Sequence, residues 1–185
     1  MMWSLPISVE IDGKEYAIRN KCDYRVVLDV IAALNDTELE MENRIRCGLF
    51  IFYEDLTGCT DFETAVKEMM KIINLGEEET EQEQPNKPQL MDWQHDFPQL
   101  APPISRVLGY SVRDAKNYTH FWDFIGAYME IGECTFSNVI SIRSKKQKGK
   151  KLETWEQEFY KENKKMVDLP QNLTEEEKEW LDSDW

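Results

Sequence analysis

Residues 77–89, EEETEQEQPNKPQ, hold five glutamates, two prolines and no apolar side chain. Such a stretch cannot offset the entropy lost on ordering by burying anything. Any core must therefore be assembled from the residues on either side, 1–76 and 90–170. The stretch reads as a solvated linker between two helical layers, with an acidic tail at 171–185. Extension of a helix with an acidic face is the competing reading.

The flanking parts have the material for a core. Hydrophobic residues make up 41% of the 185 and aromatics 11%, too many for a disordered chain. Lys and Arg number 22 against 36 Asp and Glu, a formal net charge of −14. That balance repels nucleic acid and anionic membrane alike. The longest wholly apolar run, Leu49–Tyr53, falls far short of a membrane span. No basic region precedes an apolar one at the start, so no secretion signal is visible. Cys22, Cys47, Cys59 and Cys134 form no C-x-x-C pair, and the histidines are His95 and His120. Buried reduced thiols are expected rather than a metal site or a disulfide framework.

A β-hairpin opens the chain. Ile7, Val9 and Ile11 alternate with polar residues, Asp12-Gly13 follows, and Tyr16 and Ile18 resume the alternation. A two-residue turn pairs Val9 with Tyr16 and Ile7 with Ile18 on one face. Asp23 then caps a helix with Tyr24, Val27, Leu28, Ile31 and Leu34 on its apolar face. Thr37 and Glu40 predict a capping box for a second helix, which buries Met41, Ile45, Leu49, Phe52 and Leu56. Thr60 and Glu63 predict another for a third, with Phe62, Val66, Met69 and Ile73 on its apolar face and Gly76 as its stop. In the second part, Pro102 and Pro103 limit any helix to a start near Pro103 and an end at Gly109. An aromatic helix from Tyr118 carries Phe121, Trp122, Phe124, Ile125, Tyr128 and Met129 and closes at Gly132. Thr135 caps a short helix with Phe136, Val139 and Ile140. A final helix sets Leu152, Trp155, Phe159 and Met166 on one face and ends at Leu169-Pro170. The fold class is mainly α, with an N-terminal β-hairpin and no internal repeat.

No catalytic constellation stands out. There is no glycine-rich phosphate loop, no G-x-S-x-G and no H-E-x-x-H. His120 has two readings, a general base or the polar shoulder of a packed helix. Cys134 before a helix start is a candidate thiolate without an evident base. No metal, cofactor or small-molecule substrate is expected. Arg143, Lys145, Lys146, Lys148, Lys150 and Lys151 make a basic stretch. Residues 135–169 are net +4 against −18 for the rest of the chain. No aromatic is interleaved with these lysines, so no base-stacking platform is implied. A solvated loop, or an acidic partner, is expected over nucleic acid. The aromatic helix is either buried between neighbours or a groove for a partner helix. The six tryptophans keep the second reading open. Trp122, Tyr128, Trp155 and Phe159 are the candidate contact residues.

The order of these features resembles a phage family. VEIDGKEYAI, the helical DYRVVLDVIAAL and the acidic linker are similar to its opening. YTHFWDFIGAY, TFSNVISIRSKK and WEQEFYKENKKMVDLP resemble its closing pattern: an aromatic His-Trp helix, a Phe-led helix with a basic end, and a Lys-Lys-apolar-Leu-Pro terminus. By this resemblance the chain is identified as a member of the bacteriophage gene-product-fifteen family, over roughly residues 8–170. PQLAPPISRVLG departs from the unbroken helix usual there. The resemblance implies a non-enzymatic tail assembly chaperone of long-tailed phages. It would keep the tape-measure protein soluble, assist tail-tube protein assembly, act in the host cytoplasm and be absent from the virion. The rivals are a structural tail protein that stays in the virion, a nucleic-acid-binding regulator using 143–151, and an unrecognised hydrolase.

Overall fold

The computed structural model describes residues 4–77 and 89–170. The expected linker, apart from Glu77 and Gln89, and the acidic tail lie outside the described residues. Helices dominate, with an antiparallel hairpin at the start. The chain divides into two compact units: Met1–Lys87 with Phe97–Cys134, and Pro88–Asp96 with Thr135–Trp185.

The first unit begins with β1 (Ser8–Ile11) and β2 (Lys14–Ala17). Val9 pairs with Tyr16, and Ile18 N–H donates to Ile7 O at 2.9 Å. Val9, Ile11, Tyr16 and Ile18 are buried as the alternation predicts, but Ile7, expected on the same face, is exposed at the open end of the hairpin. Asp12 and Gly13 have φ of 52° and 74°, the pair of positive values a type I′ turn needs. A Cβ on Gly13 would meet nothing within 4 Å. Gly13→Val therefore costs only backbone strain, about 1–2 kcal/mol. A chemical-denaturation curve should show that loss; an unchanged midpoint would remove the turn assignment.

Helix α1 (Tyr24–Asn35) is capped by Asp23, whose side chain accepts from Arg25 N–H. Its buried residues are Tyr24, Val26, Val27 and Val30; Leu28, Ile31 and Leu34 are only partly covered. The face is turned because α1 packs against both α2 and α5. Helix α2 (Met41–Phe52) starts at Glu40 without a side-chain cap, so the Thr37–Glu40 box does not form. It ends at Phe52 rather than continuing to Leu56, and Met41 is exposed. A Cβ on Gly48 would come within 3.3 Å of Leu34; glycine lets α1 and α2 approach closely there. Helix α3 (Phe62–Ile73) is capped by Asp61, not Thr60. Asp61 accepts from Thr64 N–H at 2.9 Å and from the Thr64 hydroxyl at 2.6 Å. One carboxylate oxygen satisfies the free N–H and the other holds the Thr64 hydroxyl, which a threonine cap could not do together.

Helix α4 (Trp93–Leu108) overturns the expected proline boundary: Pro98, Pro102 and Pro103 all lie inside it. Pro102 cannot donate to Pro98 O, but Arg113 Nη2 does so at 3.1 Å. Leu100, Ala101 and Ile104 are almost completely buried on one face. Burial and the borrowed donor outweigh the lost helix bonds. Helix α5 (Phe121–Met129) begins at His120, not Tyr118. Residues 119–121 bridge to 22–24: Tyr24 N–H donates to Thr119 O and Phe121 N–H to Cys22 O, both at 2.9 Å. The starts of α1 and α5 are thereby tied together, and the Tyr24 and Phe124 rings stack at 4.2 Å.

The second unit holds α6 (Thr135–Gln147), α7 (Thr154–Glu162) and α8 (Lys164–Val167). Its core is Val139, Ile142 and Val167, with Leu152, Phe159, Tyr160 and Met166 packed around it. The expected final helix is two helices broken at Asn163. The expected short helix after Thr135 is thirteen residues long and absorbs the start of the basic stretch. Two interactions explain this. Asp96 and Arg143, both nearly inaccessible, pair through two bonds of 2.7 and 2.8 Å. Lys145 bonds both oxygens of buried Glu156 at 2.7 and 2.8 Å.

Candidate partner-docking cleft

Helices α2 and α3 leave a cleft of about 830 Å³ between them, within the range of about 300–1,000 Å³ that takes a substantial ligand. It lies wholly in the first unit. Buried Leu49 and Tyr53 form its floor, and partly covered Ile45, Leu56 and Val66 line it. Phe50 from α2 and Phe62 from α3 stand at its mouth, 79% and 55% exposed. Large apolar side chains left this bare beside an apolar hollow mark a binding surface more than a packing defect.

Long-range hydrogen bonds frame the cleft. Arg19 donates to the carbonyls of Phe50, Ile51 and Tyr53 at 2.7–2.8 Å, satisfying acceptors left over where α2 ends. Its guanidinium also lies 5.8 Å from the centre of the Phe50 ring, so the exposed ring is held by a cation–π contact. Tyr53 donates its hydroxyl to Ala65 O at 2.8 Å, fastening the end of α2 to α3. Burial pushes the Tyr53 phenol upward, so it stays a neutral donor. At the rim, Glu42 pairs with Arg46. Asp55 accepts from Thr57 N–H at 2.7 Å. The Thr57 hydroxyl and N–H hold its carboxyl below the usual carboxylate range.

The four contact candidates lie elsewhere, in different units. Trp122 donates its indole N–H to Ile72 O at 2.9 Å and packs beside Gly76, a structural role. Tyr128 is half-buried on α5. Phe159 packs against the core of the second unit. Trp155 is 46% exposed and bonds Glu153 at 3.0 Å. Of the four, Trp155 is best placed to touch a partner.

The basic stretch is not one surface. Arg143 is buried and donates to Val167 O, Leu90 O and Met166 O as well as to Asp96. Lys145 is held by Glu156 and Glu153. Lys146 pairs with Asp168 at 2.6 Å and covers the Tyr160 ring at 3.8 Å. Lys148, Lys150 and Lys151 are exposed in the turn after α6.

His120 is fully buried as the cap of α5. Nδ1 accepts from Trp122 N–H at 3.1 Å, and Nε2 lies 2.9 Å from Pro6 O, so both ring nitrogens are occupied. Burial pushes the Cys22 thiol up to about 12, which makes it inert. Among the described residues, no group of three or more His, Cys, Asp or Glu could hold a metal, and no helix is long and apolar enough to cross a membrane.

Phe50 falls off the stripe formed by Ile45, Leu49 and Phe52, so helical periodicity does not point to the cleft. An aromatic outside its helix's apolar face was the available signal.

A family model described as Bacteriophage Gp15 protein matches residues 1–116. No curated protein and no solved structure matches the chain. The matched residues include the hairpin and α1 to α4, hence both helices of the cleft; the aromatic helix and the closing segments lie beyond them. With 116 of its 185 residues matched, the chain belongs to the bacteriophage Gp15 family.

Proposed function

We propose that this phage protein is a non-enzymatic tail assembly chaperone that keeps the tape-measure protein soluble and assists assembly of the tail tube. The observation that carries this reading is the open α2–α3 cleft, with Phe50 and Phe62 bare at its mouth. A long helical protein awaiting assembly exposes apolar faces that aggregate. An apolar groove can cover such a face, and the net charge of −14 would keep the complex dispersed. The family supplies the phage setting, and the tape-measure protein is the client that the resemblance implies.

Co-expression tests the proposal. The protein should raise the soluble yield of the tape-measure protein and co-purify with it. Phe50→Asp should remove that gain while costing about 1–2 kcal/mol at most, from the lost cation–π contact and an acid in the last turn of α2, and a melt should show the variant folded. Trp155→Ala asks whether the second unit adds a contact. If the wild-type protein leaves the tape-measure protein insoluble and binds neither it nor the tail-tube protein, the reading fails. The chain would then be a structural tail protein, and mass spectrometry of purified virions should find it there.

A further inference from the structure

Resting on that reading, we infer that the cleft selects an amphipathic helix whose apolar stripe is flanked by Lys or Arg, seated with its basic flank over Glu54. The shape argues for a helix. Helices α2 and α3 are each twelve residues long, about 18 Å at 1.5 Å per residue. A third helix of about three turns laid between them would cover Phe50 and Phe62 together.

The charges argue for the flank. Arg46 is paired with Glu42, and Arg19 is turned onto three carbonyls at the end of α2. Lys14 is turned to Thr57 O and lies over the Tyr16 ring; it does not line the cleft. Glu54 has no side-chain partner among the described residues, and Asp55 bonds only to its own turn. The cleft is lined by three carboxylates, Glu42, Glu54 and Asp55, against the guanidiniums of Arg19 and Arg46, and the Lys14 ammonium also acts on Asp55, so Glu54 is the carboxylate at the lip that no cation takes up. The described part of the first unit carries 19 Asp and Glu against 11 Lys and Arg, so its wider field also draws a basic partner. The same field argues against two occupants from the chain itself. Residues 171–185 hold six acids and one lysine, and a second copy brings another −14.

The test uses the full-length protein and two fluorescein-labelled peptides of about 18 residues, long enough to hold helix on a surface. Both carry Leu at positions i, i+3, i+4 and i+7. One is flanked by Lys, the other by Glu. In low salt the Lys-flanked peptide should bind at least about tenfold tighter, because like charges across an interface are costly. The gap should shrink in about 0.5 M salt as the charges are screened. Phe50→Asp should abolish binding of the Lys-flanked peptide. Glu54→Lys, at an exposed site that engages the fold only through its backbone N–H to Ala17 O, should weaken that peptide several-fold and favour the Glu-flanked one. Equal affinity for the two peptides, or Lys-flanked binding unchanged by either substitution, overturns the inference. Peptide selectivity without rescue of the tape-measure protein would keep the cleft and remove the chaperone. Rescue without peptide selectivity would overturn the cleft and leave the chaperone working through another surface.

Discussion

Arg143→Met should destabilise the second unit by about 3–5 kcal/mol, the usual cost of removing one partner from a buried ion pair. Asp96 is 0% and Arg143 5% exposed. The substitution leaves a carboxylate without water or counter-charge. It also strips donors from Leu90 O, Met166 O and Val167 O. A differential melt should show the drop, and limited proteolysis should cut first within residues 135–170. Asp96→Leu combined with Arg143→Met removes the stranded charge but leaves Leu90 O and Val167 O without Arg143 and takes the acceptor from Asp92 N–H, so it should restore only part of the stability. Lys148→Gln, on an exposed lysine of the same stretch, should do almost nothing. Equal effects from Arg143→Met and Lys148→Gln would show that the pair does not organise the unit.

Phe124→Ala should cost the first unit about 3–5 kcal/mol through the cavity it leaves. Phe124 is fully buried and lies parallel to Tyr24, with centroids 4.2 Å apart and 6° between planes. Tyr24 in turn donates its hydroxyl to Val112 O at 2.7 Å. The stack thus joins α1, α5 and the loop after α4. Phe124→Leu keeps most of the volume and should lose roughly half as much. If Phe124→Ala melts like the wild type, the α1–α5 contact is not a core contact.

Local chemistry was legible wherever neighbours in sequence are neighbours in space. Asp12-Gly13 between alternating runs required a type I′ hairpin, because few other dipeptides accept two positive φ values. Asp23 as a cap and the span of α3 followed from short-range patterns of the same kind. The capping boxes at Thr37 and Thr60 failed by competition. Asp61 caps α3 one residue after Thr60, and Asp36 draws Glu38 N–H at 2.9 Å into a turn that contains Thr37; a sequence pattern does not rank rivals so close together. The proline boundary failed because its compensation came from a distance: Arg113 supplies the donor that Pro102 lacks, and the buried face of Leu100 and Ala101 holds the turn.

The charged residues divide in the same way. Six basic residues within nine positions looked like one surface, yet Arg143 had its partner at Asp96 and Lys145 at Glu156. Composition determined that this chain would be acidic around a substantial core, and apolar spacing that it would be helical. Which cations remained for a partner, and which apolar side chains were left uncovered, was decided by tertiary structure alone. Exposure of Phe50 is set by where α3 and Arg19 come to rest beside α2. A residue's burial belongs to the elements packed around it, and periodicity along one helix does not contain them.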